Sequence, residues 1–409
     1  MLYELHEFRS AAFSPLTMWA QASIGLLSDP ENVLSYVPFS RNMAASYELL
    51  VRLNQPYPKP EFNLAETTID GNTVAVSEVI ALDKPFCQLR HFKRATNRQD
   101  PIVLIVAPLS GHFATLLRDT VRAMLPHFDV YITDWVDAKT VPLSAGAFHL
   151  DDYVEYVRSF LSFLGRGVNV VSVCQPTVPV LAAISLMAEQ NDLCLPASMT
   201  MMGGPIDTRK SPTTVNEFAK KHPISWFERK LIYPVPMKHP GAGRRVYPGF
   251  LQHVGFVSMN PSKHVNSHWD FYLNLVKGDG DSAEAHRRFY DEYNAVLDMP
   301  AEYYLETIRT VFHEHELARG KMKVRGQLVR PAVIKDVALL TIEGELDDIT
   351  GRGQTEAAHD LCANVPAEKR QHYTAKGAGH YGIFSGRRYR EEVYPQIRDF
   401  ISRHGGNNL

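Results

Sequence analysis

The chain has 409 residues, enough for one large core plus an appended or inserted subdomain. Its formal net charge is −2 and only 22% of residues are charged, so no strong field recruits nucleic acid or an anionic membrane. The four cysteines, Cys87, Cys174, Cys194 and Cys362, show no CxxC spacing and no clustering, which argues against a disulfide framework, a zinc site or any other metal centre. The opening MLYELHEFRSAAFSPLTMW carries acids early and does not read as a signal peptide, and no 18-residue apolar stretch suggests a membrane span. The expected location is the cytoplasm, with thiols reduced.

Residues 1–60 read as an N-terminal helical extension. Apolar residues recur at helical spacing over 13–27 and 43–53, and the proline-rich stretch 55–60 closes the segment as a linker. Residues 61–206 read as the first part of a core in which strands alternate with helices. Strands are expected at 73–80, 87–92, 102–107, 129–133, 168–173 and 198–202, and helices at 113–125, 151–164 and 177–189. Continuous apolar strands between helices predict the α/β class, with a mostly parallel sheet covered by helices on both faces. Over 207–320 the rhythm changes. Prolines, histidines and aromatics such as Trp226, Tyr233, Tyr247, Phe250, Trp269 and Tyr272 crowd together. This stretch reads as an inserted helical lid with no clear strand. Residues 321–409 resume the core, with strands at 337–342 and 370–374 and a last helix over 389–403.

The chemistry centres on Val171-Ser172-Val173-Cys174-Gln175-Pro176. A buried strand ends and a helix begins with Cys174 at the turn, as in a nucleophile elbow. The helix N-terminus favours thiolate, and the Gln175 N–H is placed to meet a developing oxyanion. The usual elbow has glycines two residues before and after the nucleophile; here those positions hold Ser172 and Pro176. By itself Cys174 reads more readily as a buried strand-end cysteine. Order along the chain changes the reading. After the lid, Glu343-Gly344-Glu345-Leu346-Asp347-Asp348 follows a strand, and Lys376-Gly377-Ala378-Gly379-His380 precedes the last helix. Nucleophile, acid and histidine therefore run in the order of the α/β-hydrolase triad, each at the C-terminal end of a strand. Asp347 is the expected acid on its G-x-x-D spacing and Asp348 the rival. The loop Pro108-Leu109-Ser110-Gly111 is expected to supply a second oxyanion N–H from Leu109 or Ser110. His313-Glu314-His315-Glu316 reads as a solvated helix face, because alternate helical residues point to different sides. Gly241-Ala242-Gly243 lacks the strand and helix context of a dinucleotide loop.

The sequence resembles the intracellular polyhydroxybutyrate depolymerases over nearly its whole length. The resemblance rests on the opening MLYELHE, on APLSGHFATLLRDT, VYITDWVDA, SVCQP, MMGGPID, GELDDITG and GAGHYG. It implies an α/β-hydrolase fold and a Cys174–His380–Asp347 triad that forms a thioester with stored polyester. It implies 3-hydroxybutyrate oligomers or monomers as products, no cofactor, water or coenzyme A as acyl acceptor, and the polyester granule surface as partner. Polyester synthases share the cysteine elbow in a glycine-flanked box absent here, although residues 317–349 are also similar to the synthase tract; a synthase-like acyltransferase or a thioesterase or esterase of the same fold is the alternative. The aromatic-rich insertion, rather than the N-terminal helices, is expected to supply most of the polymer-contacting surface. The sequence leaves the oligomeric state open.

Overall fold

The structure, a computed structural model, describes residues 2–259 and 261–405. Two N-terminal helices that pack on each other, α1 (Leu2–Ser28) and α2 (Ser40–Asn54), precede the sheet. Strands β1 (Glu66–Ile69), β2 (Asn72–Lys84), β3 (Cys87–Arg94) and β4 (Ile102–Val106) follow, then α3 (Arg118–Met124), β5 (Asp129–Trp135), α4 (Leu150–Leu164), β6 (Asn169–Val173), α5 (Thr177–Glu189) and β7 (Ser198–Met202). The insertion carries α6 (Thr214–Lys221), α7 (Ile224–Leu231), β8 (Tyr233–Pro234), β9 (Arg245–Tyr247), α8 (Gly249–Met259), α9 (Pro261–Lys277), α10 (Gly280–Asn294), β10 (Met299–Pro300) and α11 (Ala301–Thr307). A short hairpin of β11 (Lys323–Val324) and β12 (Gln327–Leu328) leads back to β13 (Ala338–Gly344), β14 (Arg370–Ala375) and a C-terminal helix, Tyr394–His404.

The main sheet has nine strands in the order β1-β2-β3-β5-β4-β6-β7-β13-β14. The first three pair antiparallel and β5 through β14 pair parallel. The strand alternation shows why both faces are covered. Leu104, Val106 and Val170 point into one apolar cluster with α4 and α5, while Val103, Ile105, Val171 and Val173 point into another with α3 and the C-terminal helix. The α4 start is fixed by a reciprocal cap between His149 and Asp152, and its end by Gly165 at φ 85.

The insertion differs from the sequence expectation in one respect. Strands β8, β9 and β10 form a small antiparallel sheet where none was expected. Each is two or three residues long, too short to show a period of two in the sequence. Its helix α10 docks on α2 through Arg52–Asp291 at 2.6 Å and Arg287–Glu48 at 2.7 Å, and α9 also packs on α2. No helix among the described residues is long and apolar enough to cross a membrane.

Candidate active site

The elbow begins where β6 stops. Cys174 has φ +68, the left-handed region that a residue with a Cβ enters only under constraint. Its N–H donates to Met202 O at 2.7 Å, which prolongs the β6–β7 ladder by one bond. The Thr177 N–H and hydroxyl both donate to Cys174 O, at 3.2 and 3.0 Å, and close the turn into α5. The two glycines missing from the elbow have counterparts on the neighbouring strand end. A Cβ on Gly203 would lie 2.7 Å from Ile383 and 3.3 Å from the His380 ring, and one on Gly204 would overlap Thr177. The close packing is thus provided by Gly203-Gly204, a signal present in MMGG but not singled out from the sequence, while Ser172 is buried and donates to Thr200 O at 3.2 Å.

The acid and the histidine meet as the chain order suggested. Asp347 Oδ2 lies 2.7 Å from His380 Nδ1, and both side chains are buried. Asp347 Oδ1 accepts from the N–H groups of Ile349 and Thr350 at 2.9 and 2.8 Å, so the carboxylate is fully occupied and cannot swing. Asp348 is exposed, and of the two acids it is Asp347 that reaches the imidazole. Since a carboxylate only accepts, His380 donates from Nδ1 and turns Nε2 toward Cys174. Burial alone would disfavour the imidazolium, yet the facing charges of Cys174 and Asp347 and the hydrogen bonds to both hold His380 well above its ordinary value.

The loops that carry these groups are pinned to each other. A Cβ on Gly344 would fall 2.6 Å from Ala378 O, and Leu346 N–H donates to that carbonyl at 2.9 Å. Sequence reading also passed over Glu343. Its buried carboxylate accepts from the N–H groups of Gly353, Thr355 and Glu356 at 2.8, 2.8 and 3.0 Å and so shapes the loop that presents Asp347. Glu343, Glu356 and His372 come close enough to suggest a metal, but those three N–H donors already occupy the Glu343 oxygens.

Across from the elbow, Leu109 is buried and Ser110 partly so. Among the described residues the backbone N–H groups of Gln175, Leu109 and Ser110 have no protein acceptor. The loop is held by the insertion: Leu297 N–H donates to Gly111 O at 2.7 Å, and a Cβ on Gly111, at φ +111, would lie 2.6 Å from Gln252 Oε1. Burial pushes the next residue, His112, down to about 4, and it bonds Tyr293 O at 3.1 Å, so it anchors the loop as a neutral ring. The motif 313–316 is not a solvated face. His313 bonds Ala219 O at 2.7 Å and His315 bonds Thr208 Oγ1 at 2.8 Å, which a π-helical turn over Ile308–His313 makes possible by shifting the helical phase. Gly241 packs on carbonyls of residues 138–141, a close approach between loops and not a phosphate cradle.

A mostly parallel sheet, an elbow after its central strand and an acid–histidine pair on the last two strands define an α/β-hydrolase. Residues 203–405, just under half of the chain, match the family model described as PHB de-polymerase C-terminus. The match supports ester hydrolysis as its reaction class. No curated protein matches the chain. Among solved structures it is similar to an esterase from Thermogutta terrifontis (12% identity, 83% of this chain and 97% of that one, TM-score 0.44). It is also similar to a monoacylglycerol lipase from Paleococcus ferrophilus (14%, 75% and 96%, TM-score 0.43) and an epoxide hydrolase from Bacillus megaterium (13%, 82% and 99%, TM-score 0.47).

Proposed function

We propose that the chain is a polyhydroxybutyrate depolymerase that cleaves the polyester through a thioester on Cys174. The observation that carries this reading is the Asp347–His380 pair, locked at 2.7 Å and turned toward a cysteine held in a left-handed elbow. The Cys174 sulfur attacks an ester carbonyl while its proton passes to His380 Nε2. The S–C bond forms, and the carbonyl oxygen becomes an oxyanion met by the N–H of Gln175 and that of Leu109 or Ser110. On collapse the C–O bond breaks and His380 gives the proton to the departing alkoxide, which leaves as the hydroxyl end of the shortened polymer. Water then adds to the thioester, losing a proton to His380; the S–C bond breaks and the sulfur recovers the proton. The second product is a 3-hydroxybutyrate oligomer or monomer. Coenzyme A in place of water would give its thioester by the same steps.

The partner in this reading is the surface of the polyester granule. Amorphous granules incubated with the purified chain, first in water alone and then with coenzyme A, test it. Release of free 3-hydroxybutyrate units supports hydrolysis, and coenzyme A thioesters support thiolysis. No soluble product under either condition, from a chain that hydrolyses simple esters, would reject the polymer as substrate.

A further inference from the structure

Three polar atoms cluster beside the nucleophile. Gln175 Oε1, Tyr303 Oη and Thr307 Oγ1 are all buried, and outside this cluster none of them has a protein partner. They converge from two elements. Gln175 directly follows Cys174, while Tyr303 and Thr307 lie one turn apart on α11 and share a face. The Tyr303 hydroxyl neighbours the Thr307 and Gln175 side chains and senses the charge on Cys174. Its ring position is set by packing: it lies parallel to Tyr153 at 5.6 Å and 14°, and against Phe148 at 5.9 Å. Tyr153 is fixed in turn by donating to Ala107 O at 3.1 Å. Leu109, Val178 and Val311 belong to the same apolar cluster as Tyr303.

A plain alkyl chain packed there would leave these buried atoms with no partner but one another. An acyl chain bearing its own oxygen a few bonds from the reacting carbonyl would not. The Tyr303 and Thr307 hydroxyls can donate to a hydroxyl or ester oxygen, and Gln175 Oε1 can accept from a hydroxyl. We propose that Gln175, Tyr303 and Thr307 form the subsite that reads this second oxygen, so that the enzyme selects hydroxyacyl units over plain acyl units of the same length. The assignment rests on the hydrolase reading above, and deepens it by naming the residues that set acyl specificity.

The test is a ratio. Full-length wild type is assayed on the p-nitrophenyl esters of 3-hydroxybutyrate and of butyrate, alongside Tyr303→Phe, which keeps the ring and removes the oxygen, and Thr307→Val, which keeps the shape. Wild type is expected to favour the hydroxy ester in kcat/KM by at least about tenfold, and each variant to lower that ratio several-fold. A ratio that stays put in both folded variants, or equal losses on both esters, overturns the subsite while leaving the hydrolase reading intact. A wild type that cleaves both esters equally well also overturns the subsite alone. A wild type that cleaves neither ester nor polymer overturns the hydrolase reading and the subsite with it.

Discussion

A side chain at φ +68 stores strain of about 1 kcal/mol, and the surroundings of Cys174 have to impose it. Strain and reactivity make separable predictions at this one position. Cys174→Ala removes the sulfur and keeps the strain, so polymer hydrolysis should fall by several powers of ten while the thermal midpoint stays close to wild type. Cys174→Gly removes both, and should be as inactive but more stable than the alanine variant by about 1 kcal/mol in urea unfolding. Residual activity within tenfold of wild type in either protein would take Cys174 out of the mechanism. His380→Ala should lose as much as Cys174→Ala, and the double variant no more, because the pair acts as a unit. Asp347→Asn should be milder and Asp348→Asn close to wild type. The reverse order would move the acid by one residue. Of these groups, the meeting of Asp347 with His380 was legible in the sequence because chain order and places at strand ends are both one-dimensional signals. The G-x-x-D spacing already favoured Asp347 over Asp348, but the physical reason, that Asp347 is the carboxylate that turns inward, was not legible.

The same distinction holds for the elements. Strand β4 is a continuous apolar run and β6, β7 and β13 are largely apolar, which announces a sheet buried on both faces, whereas β8, β9 and β10 are too short to announce anything. The Glu343 carboxylate and the Gly203-Gly204 packing were equally silent, because each matters only through a tertiary contact that no local pattern carries. The seat of α1 is another such contact. Tyr3 donates to Asp298 Oδ2 at 2.6 Å, while Asp298 Oδ1 accepts from Gly249 N–H at 2.8 Å, so one buried carboxyl joins the N-terminal helix to the insertion. Burial, with Asp137 nearby, pushes Asp298 up to about 6, against the pull of Lys139 and of its two hydrogen bonds. An acid raised on folding prefers its protonated form in the native state. Its contribution to stability is therefore fully present below the unfolded value of 3.8 and is lost as pH rises through about 6. Denaturant unfolding of wild type and Asp298→Asn across that window checks this. The stability difference should move in favour of the asparagine variant as pH rises from about 4 to about 6.5. A constant difference would mean that Asp298 is ionised throughout and that the latch is an ordinary ion–dipole contact.

At the scale of the molecule, the distribution of exposed apolar side chains offers a second candidate for the polymer-contacting surface besides the insertion. The aromatics of the insertion mostly serve its own packing: Phe227, Phe271, Tyr290 and Tyr293 are buried, the first two almost completely. Composition could not separate that use from a docking surface. The N-terminal helices show the opposite. Fifteen exposed large hydrophobics lie between Leu2 and Leu53, against six in residues 207–320, among the described residues. From Ser10 to Ser28 α1 carries no charged residue at all. A long, exposed, charge-free helix offers nothing to an anionic lipid headgroup or a nucleic acid, and suits an uncharged ester solid. If the chain acts on granules, α1 and the α1–α2 connection are a candidate docking face to be tested against the insertion. Phe8 and Met18, 71% and 70% exposed, can be changed to lysine without disturbing the core. Taking two side chains out of water contributes at most about 3 kcal/mol each, so Phe8→Lys with Met18→Lys should lower granule binding at least about tenfold. Hydrolysis of a soluble 3-hydroxybutyrate ester should change little, because neither residue is part of the Cys174–His380–Asp347 constellation. Loss of self-association with granule binding intact would instead identify a second copy of the chain as what covers this face, and equal loss on granules and soluble ester would mean that α1 supports the fold of the site itself.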